Sequence, residues 1–259
     1  MTALVSIERS GSSAIIRMNR AQKQNALSRD LFAAIDAALQ ALEADTGVRG
    51  IVITGNERVF STGGDLQEAL ALRAVEDTRK WLDLFRQVNE RIEAIGKPVI
   101  AAIHGYCVTG GLEMALACDI RVAATNAQFG ITSARIGTVA GAGGTQRLAR
   151  LIGPEWAKEL LFSGDFIDAE TALRIRLVSE VVAPERVIPR ALERLEAYAR
   201  RAPLSVAYSK AAVNNGLNMP LEYALAYERQ ITTTLFATED RKEGQAAFLE
   251  KRPPQFKGE

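Results

Sequence analysis

Two short runs, Leu4 to Ile7 and Ala14 to Met18, are rich in β-prone residues and flank Ser10-Gly11-Ser12-Ser13, a spacing that predicts a hairpin. From Ser28 the period turns helical. Leu31, Ile35, Leu39 and Leu42 recur every three or four positions, and Ser28 stands where an N-cap belongs. Gly50-Ile51-Val52-Ile53-Thr54-Gly55 and Pro98-Val99-Ile100-Ala101-Ala102-Ile103 are continuous apolar runs, the pattern of strands covered on both faces. Residues 66–95 read as helix, Leu112 to Ala117 as a second helix, and Ile120 to Ala123 as a further strand.

Alternation of strand and helix predicts an α/β core. After about residue 185 the strand pattern stops. Ile188, Leu192, Leu195 and Ala199 mark an amphipathic helix, and residues 203–250 predict several more. The expected organisation is an α/β core over residues 1–195 that carries the functional site, followed by a helical region over 196–259 that packs on the core or on another subunit.

Composition narrows the function classes. The chain has 259 residues, 47% apolar and 24% charged, so it can bury a core without disulfide or metal support. Lys and Arg number 32 against 31 acidic residues, a net charge of +1 that offers no surplus for nucleic-acid or anionic-membrane binding. Two cysteines, Cys107 and Cys118, with a single histidine make a poor metal set, and no metal site is expected. The N-terminus lacks the basic start and apolar stretch of a signal peptide. The longest uncharged run, from Pro98 to Leu112, is too short and too broken to span a bilayer. A cytoplasmic protein is expected.

Two glycine-bearing turns precede helices: Phe60-Ser61-Thr62-Gly63-Gly64-Asp65-Leu66 and His104-Gly105-Tyr106-Cys107-Val108-Thr109-Gly110-Gly111-Leu112-Glu113. Glycine lets backbone approach a ligand closely, and a helix start presents unpaired N–H groups, so two facing turns would make an oxyanion hole. The same glycines serve equally as strand-to-helix corners with Asp65 as an N-cap. Gly141-Ala142-Gly143-Gly144-Thr145-Gln146 fails the dinucleotide-binding pattern at its sixth position, and no Gly-Lys-Ser/Thr phosphate loop occurs. No Gly-x-Ser-x-Gly elbow is present, and His104 at the end of an apolar strand reads as structural.

Together these segments resemble the enoyl-CoA hydratase/isomerase (crotonase) superfamily over nearly the whole chain. The resemblance starts at Asn19-Arg20 and Asn25-Ala26-Leu27 and passes through both glycine turns, Lys97-Pro98-Val99-Ile100 and Cys118-Asp119-Ile120-Arg121. It continues through Gly141 to Leu148 and ends at Glu243-Gly244 and Ala247 to Arg252. It implies a spiral of ββα units with a C-terminal helical region that makes trimers or dimers of trimers. It also implies an acyl-CoA thioester as substrate, no separate cofactor and a place in fatty acid metabolism. The thioester oxygen would be held by the N–H groups of Gly64 and Gly110. Coenzyme A would follow Lys23, Gln24, Asn25, Ala26 and Leu27 together with Asp65 and Leu66. Phe248 and Lys251 would close over its adenine end, although ordinary packing and a solvated charge explain that pair equally well.

One position departs from the family pattern. Hydratases of this kind use two glutamates to hold one water. Glu113 matches the first, whereas the stretch Gln128-Phe129-Gly130-Ile131-Thr132-Ser133-Ala134-Arg135 puts Ser133 at the second. Serine orients a water but does not exchange a proton near neutral pH. A replacement carboxylate would have to come from Glu68, Glu76, Asp77 or Asp83. Arg135 is a surface charge or an approach to a substrate carboxylate. The leading expectation is reversible hydration of a 2-enoyl-CoA, with Glu113 as base and Ser133 orienting the water. The alternatives are single-carboxylate isomerisation, thioester hydrolysis, and a CoA-binding assembly subunit without chemistry.

Overall fold

The computed structural model describes residues 3–259. β1 (Val5–Ser10) and β2 (Ser13–Met18) pair antiparallel as the expected hairpin. α1 (Arg29–Ala44) follows, and the Ser28 hydroxyl accepts the Leu31 N–H at its start. From there the chain alternates between two sheets. β3 (Gly50–Thr54), β5 (Val99–Ile103) and β7 (Ile120–Ala124) extend the first sheet in parallel. Each is followed by a short strand of a second sheet: β4 (Val59–Ser61), β6 (Tyr106–Val108) and β8 (Gln128–Gly130). β9 (Ile167–Asp168) closes the small sheet antiparallel to β8, and β10 (Glu180–Val182) closes the large one beside β7.

The helices fill the return paths of this spiral. α2 (Leu66–Ala71) and α3 (Val75–Ala94) follow β4, α4 (Gly110–Ala117) follows β6, and α5 (Gln146–Ile152), α6 (Pro154–Ser163) and α7 (Ala169–Arg174) precede β10. The single helix expected over 66–95 is two helices. The break at residues 72–74 arises where the Asp77 carboxylate accepts the Ala74 N–H at 3.1 Å and starts a new helix there.

Both faces of the large sheet are buried at its central strands β3 and β5, as their unbroken apolar runs require. Ile51, Ile53, Val99, Ala101 and Ile103 face the main core, while Val52, Ile100, Ala102 and Val122 face the other side. That second face is covered by Val187, Ala191 and Leu195 of α8 (Val187–Ala199). The division expected after residue 195 falls within α8, which packs on β3, β5 and β7 along its length. Beyond it stand α9 (Pro203–Gly216), α10 (Leu221–Leu235) and α11 (Glu239–Leu249).

α9 is fastened to the core by one buried cation. Lys210 Nζ donates to Ile92 O, Lys97 O and Asp119 Oδ2 at 2.8, 3.2 and 3.0 Å. α9 and α10, with the turn between them, expose the apolar side chains Val213, Leu217, Leu221, Tyr223 and Leu225. Among the described residues, no helix is long and apolar enough to cross a membrane.

Candidate active site

The two glycine turns meet. Leu27 N–H donates to Gly63 O at 2.7 Å and Asp65 N–H returns to Leu27 O at 3.1 Å, so the residue 23–27 loop braces the first turn. A methyl group on Gly63 (φ +92°) would lie 3.0 Å from Gly110 N, and one on Gly110 would lie 3.3 Å from Gly64 N. The backbone nitrogens of Gly64 and Gly110 are therefore neighbours. Among the described residues neither N–H has a protein acceptor. Trp81 and Phe85 wall this spot: a methyl on Gly64 would meet the Trp81 ring at 2.6 Å, and one on Gly110 would meet Phe85 at 2.6 Å. No side chain fits at either corner, and what remains is a pair of N–H donors beside an aromatic wall, the geometry of an oxyanion hole.

The second turn is strained. Thr109, immediately before Gly110, has φ +44° and ψ −113°, a conformation that a β-branched residue rarely adopts. It is held by its N–H on Gly130 O at 2.9 Å, by the Thr132 N–H on its Oγ1 at 3.1 Å, and by a 3.0 Å contact between the Thr109 and Thr132 hydroxyls. Thr132 opens the 3-10 turn Thr132–Ile136 that carries Ser133, so this strap ties the Gly110 corner to Ser133.

Glu113 stands in the first turn of α4 and is 2% exposed. Its Oε1 accepts the N–H groups of Ala142 and Gly144 at 2.7 and 2.8 Å. Burial pushes its pKa up, against those two N–H groups and the Arg147 charge, which pull it down. Oε2 has no protein partner among the described residues. The only fully buried, unpartnered side-chain polar atoms among the described residues are Trp81 Nε1 and His104 Nδ1, so Oε2 is not sealed from solvent.

Ser133 is 5% exposed, and its hydroxyl has no protein partner among the described residues. Arg135 turns away to pair with Asp165 and lie over the Phe166 ring, which leaves it as the surface charge of the two expectations. The four acids that could have replaced a second glutamate are engaged elsewhere. Glu68 accepts the Arg29 N–H, Asp77 starts α3, and Glu76 and Asp83 pair with Arg79 and Arg86.

The residues expected around coenzyme A divide into two groups. Asn25, Leu27 and Asp65 are buried and hold the loop itself. Asn25 Nδ2 donates to Phe60 O at 3.1 Å and its Oδ1 accepts the Arg20 N–H at 2.8 Å. Asp65 caps α2 and meets Arg20 at 2.7 Å. Burial opposes its ionisation, but Arg20 and the N–H groups of Gln67 and Glu68 hold the carboxyl below its ordinary range. Lys23, Gln24 and Leu66 stand exposed at the rim with Ala26 half-buried, and Lys23 reaches Gln67 at 3.3 Å. Phe248 is 83% exposed at the end of α11, and Lys251 beside it is exposed without a side-chain hydrogen bond among the described residues.

His104 is structural, its Nε2 lying 2.9 Å from Pro184 O. Both cysteines are buried, and burial pushes the Cys118 thiol up to about 12, so neither offers a thiolate. A cavity of about 240 Å³ lies beyond the start of β5, lined by Lys97, Pro98, Tyr198 and Leu204, and includes none of the corner residues. Sequence reading missed the anchoring of Glu113 by the Ala142–Gly144 loop. The signal was present in Gly141-Ala142-Gly143-Gly144, read there only as a failed dinucleotide pattern.

A sequence profile described as enoyl-CoA hydratase/isomerase matches residues 8–259. The chain is 39% identical to the short-chain-enoyl-CoA hydratase of Clostridium acetobutylicum, over 96% of this chain and 95% of that one. It is 40% identical to the crotonyl-CoA hydratase of Syntrophomonas wolfei, over 96% of each. The crystal structure of enoyl-CoA hydratase from Bacillus anthracis superposes with a TM-score of 0.94 at 37% identity, covering 99% of this chain and all of that one.

Proposed function

The chain belongs to the enoyl-CoA hydratase/isomerase family, and from that premise we propose that it adds water reversibly to the double bond of a 2-enoyl-CoA thioester. The observation that carries this reading is the pairing of two unsatisfied N–H groups, at Gly64 and Gly110, with a buried carboxylate whose one oxygen is anchored and whose other is open. The relatives named above are hydratases, which favours hydration over isomerisation, thioester hydrolysis or binding alone.

In this reading the thioester oxygen receives the Gly64 and Gly110 N–H groups. Glu113 Oε2 takes a proton from a water that the Ser133 hydroxyl helps to orient. The water oxygen bonds to Cβ, the π electrons move toward Cα, and the negative charge collects on the thioester oxygen between the two N–H groups. Glu113 then returns its proton to Cα. One water is consumed, and a 3-hydroxyacyl-CoA leaves. The raised proton affinity of Glu113 suits a group that must take and give a proton in one cycle.

The finer features follow the same reading. Lys23, Gln24, Ala26 and Leu66 line the coenzyme A path, with Asn25, Leu27 and Asp65 shaping it from behind. The exposed apolar residues of α9 and α10 support a homotrimer, or a dimer of trimers, made through residues 196–259, with Phe248 and Lys251 closing over the adenine end of the bound coenzyme. The enzyme needs no cofactor beyond its CoA substrate and works in the cytoplasm on fatty acyl thioesters. The test is loss of the conjugated enoyl-thioester absorbance on adding the enzyme to crotonyl-CoA. Turnover that disappears in Glu113→Gln supports hydration by this site; binding of crotonyl-CoA without turnover refutes it.

A further inference from the structure

The loop that anchors Glu113 is itself clamped from behind, by residues with no place in the reaction just described. Ala142 uses its N–H on Glu113 Oε1, and its carbonyl on the far side accepts two donors: Asn89 Nδ2 at 3.0 Å and Arg147 Nη1 at 3.1 Å. Asn89 is 1% exposed, on the inner face of α3. One turn further along, Glu93 grips the same arginine with both oxygens, at 2.6 Å to Nε and 2.7 Å to Nη2. The guanidinium also lies across the loop: a methyl on Gly143 (φ +111°) would come within 2.0 Å of Arg147 Nη1. Its orientation is therefore fixed by Glu93, by Gly143 and by the carbonyl it donates to.

We propose that Asn89 and Arg147 are positioning residues, which lock the Ala142 peptide so that the Ala142 and Gly144 N–H groups keep Glu113 Oε1 in place and leave Oε2 as the one oxygen that exchanges protons. This rests on the assignment of Glu113 as the proton-transfer group. A single carboxylate that both takes and returns a proton must not rotate between the two steps, since exchange of its oxygens would move the proton away from Cα. Two backbone donors on one oxygen prevent that rotation only if the loop carrying them is rigid, and a buried carbonyl held by two side-chain donors makes it so.

The two residues differ in one respect that makes the inference testable. Arg147 carries charge and Asn89 does not. The charged groups facing Glu113 are few: α4 has no other, β4 and β6 have none, α5 contributes Arg147, and α3 contributes Glu93 and Glu90 behind that arginine. Removing Arg147 takes away both the lock and the cation that favours the Glu113 carboxylate, whereas removing Asn89 takes away half the lock alone.

Crotonyl-CoA hydration by Arg147→Met, Arg147→Lys and Asn89→Leu, each measured as kcat and KM across pH, decides it. Arg147→Met is expected to lose about a hundredfold in kcat with KM unchanged, and its acidic limb moves to higher pH. Asn89→Leu lowers kcat with the limb in place. Arg147→Lys restores the limb but recovers kcat only in part, because an ammonium lacks the fork that reaches Glu93 and Ala142 together. Should Arg147→Met fail to fold, Asn89→Leu decides alone, as it leaves the ion pair intact. Wild-type kcat in the folded variants, or a loss confined to KM, would overturn the assignment. Glu113→Gln run alongside separates the two levels. Activity retained there refutes the proposed reaction itself, while activity lost there with Asn89→Leu and Arg147→Met normal refutes only the positioning role.

Discussion

Glu113 and Gly144 fit each other with no space to spare: the Gly144 N–H meets Glu113 Oε1 at 2.8 Å, and a methyl on Gly144 would stand 2.9 Å from that oxygen and 2.7 Å from Ala140 Cβ. Neither neighbour is a flexible side-chain end, because the carboxylate is anchored and Ala140 has nothing beyond its Cβ. Gly144→Ala therefore displaces the loop or the carboxylate. Overpacking of this kind costs about 1–3 kcal/mol, readable as a lowered midpoint in urea denaturation. Hydration should fall in kcat more than in stability, and unchanged kcat would show that Glu113 keeps its place without this loop.

Glu113 also makes stability depend on pH in a definite direction. Its folded pKa lies above its unfolded one because burial opposes the charge. Between those values the folded state holds more protons, so the Glu113 contribution to stability is greatest at acid pH and is lost as pH rises through the folded value. Glu113→Gln removes that loss. The stability difference between Glu113→Gln and wild type is expected to grow in favour of the variant from pH 4 to pH 7, while its activity stays lost by about a hundredfold or more. Equal pH profiles in denaturation would show that Glu113 is not desolvated.

Thr109 is held in a conformation its side chain resists, by contacts to Gly130 and Thr132. Thr109→Val keeps the strain and the shape but loses both hydroxyl contacts, at a cost of about 1–3 kcal/mol. Thr109→Gly loses the same contacts and relieves the strain, so it should be the more stable of the two. Hydration should fall in both, since the strap aligns the Gly110 N–H with the Ser133 turn. Thermal unfolding orders the pair, and Thr109→Val more stable than Thr109→Gly would contradict the strain argument.

Much of this was legible in the chain. The hairpin, Ser28 as a cap and the end of strand pattern near residue 185 follow from residue pattern, and the central strands β3, β5 and β7 are legible because they are buried on both faces. The small sheet was not legible: β4, β6 and β8 are three residues each, and β9 is two, too short to show a period. The break between α2 and α3 was hidden too, since Asp77 caps through a side chain and no glycine or proline marks the place. The corner at Gly64 and Gly110 could be read because glycine pairs announce close approach. Asn89 could not, as nothing in a helical stretch says which polar residue will be buried beneath a loop more than fifty positions away.

Lys210 and Asp119 make an ion pair between α9 and the core at 3.0 Å, with side chains 8% and 23% exposed. Burial raises the Asp119 pKa and the Lys210 charge opposes that rise. Lys210→Met leaves the acid buried without its cation and two carbonyls without a donor, which costs about 3–5 kcal/mol. Asp119→Asn added to Lys210→Met should recover part of the loss, because the amide oxygen still accepts the Val99 N–H that Asp119 Oδ2 takes at 2.7 Å. Urea denaturation of the two single variants and the double variant measures the coupling, and additive losses would show that the contact contributes nothing as a pair.

In the proposed reaction Ser133 orients the water from which Glu113 takes its proton. Its hydroxyl is free of protein partners among the described residues and the residue is 5% exposed, which suits a group that holds one water and little else. Ser133→Ala removes that contact without changing the turn, and kcat is expected to fall by about tenfold, the worth of one hydrogen bond of roughly 1.4 kcal/mol. Ser133→Glu places a second carboxylate at the same position but in a tight, buried turn, so it should lower stability and gain its own acidic limb in the pH profile. If Ser133→Ala hydrates crotonyl-CoA at the wild-type rate, the water is oriented by Glu113 and the backbone alone. If Ser133→Glu then proves faster than wild type, the natural substrate differs from crotonyl-CoA in what it asks of that position.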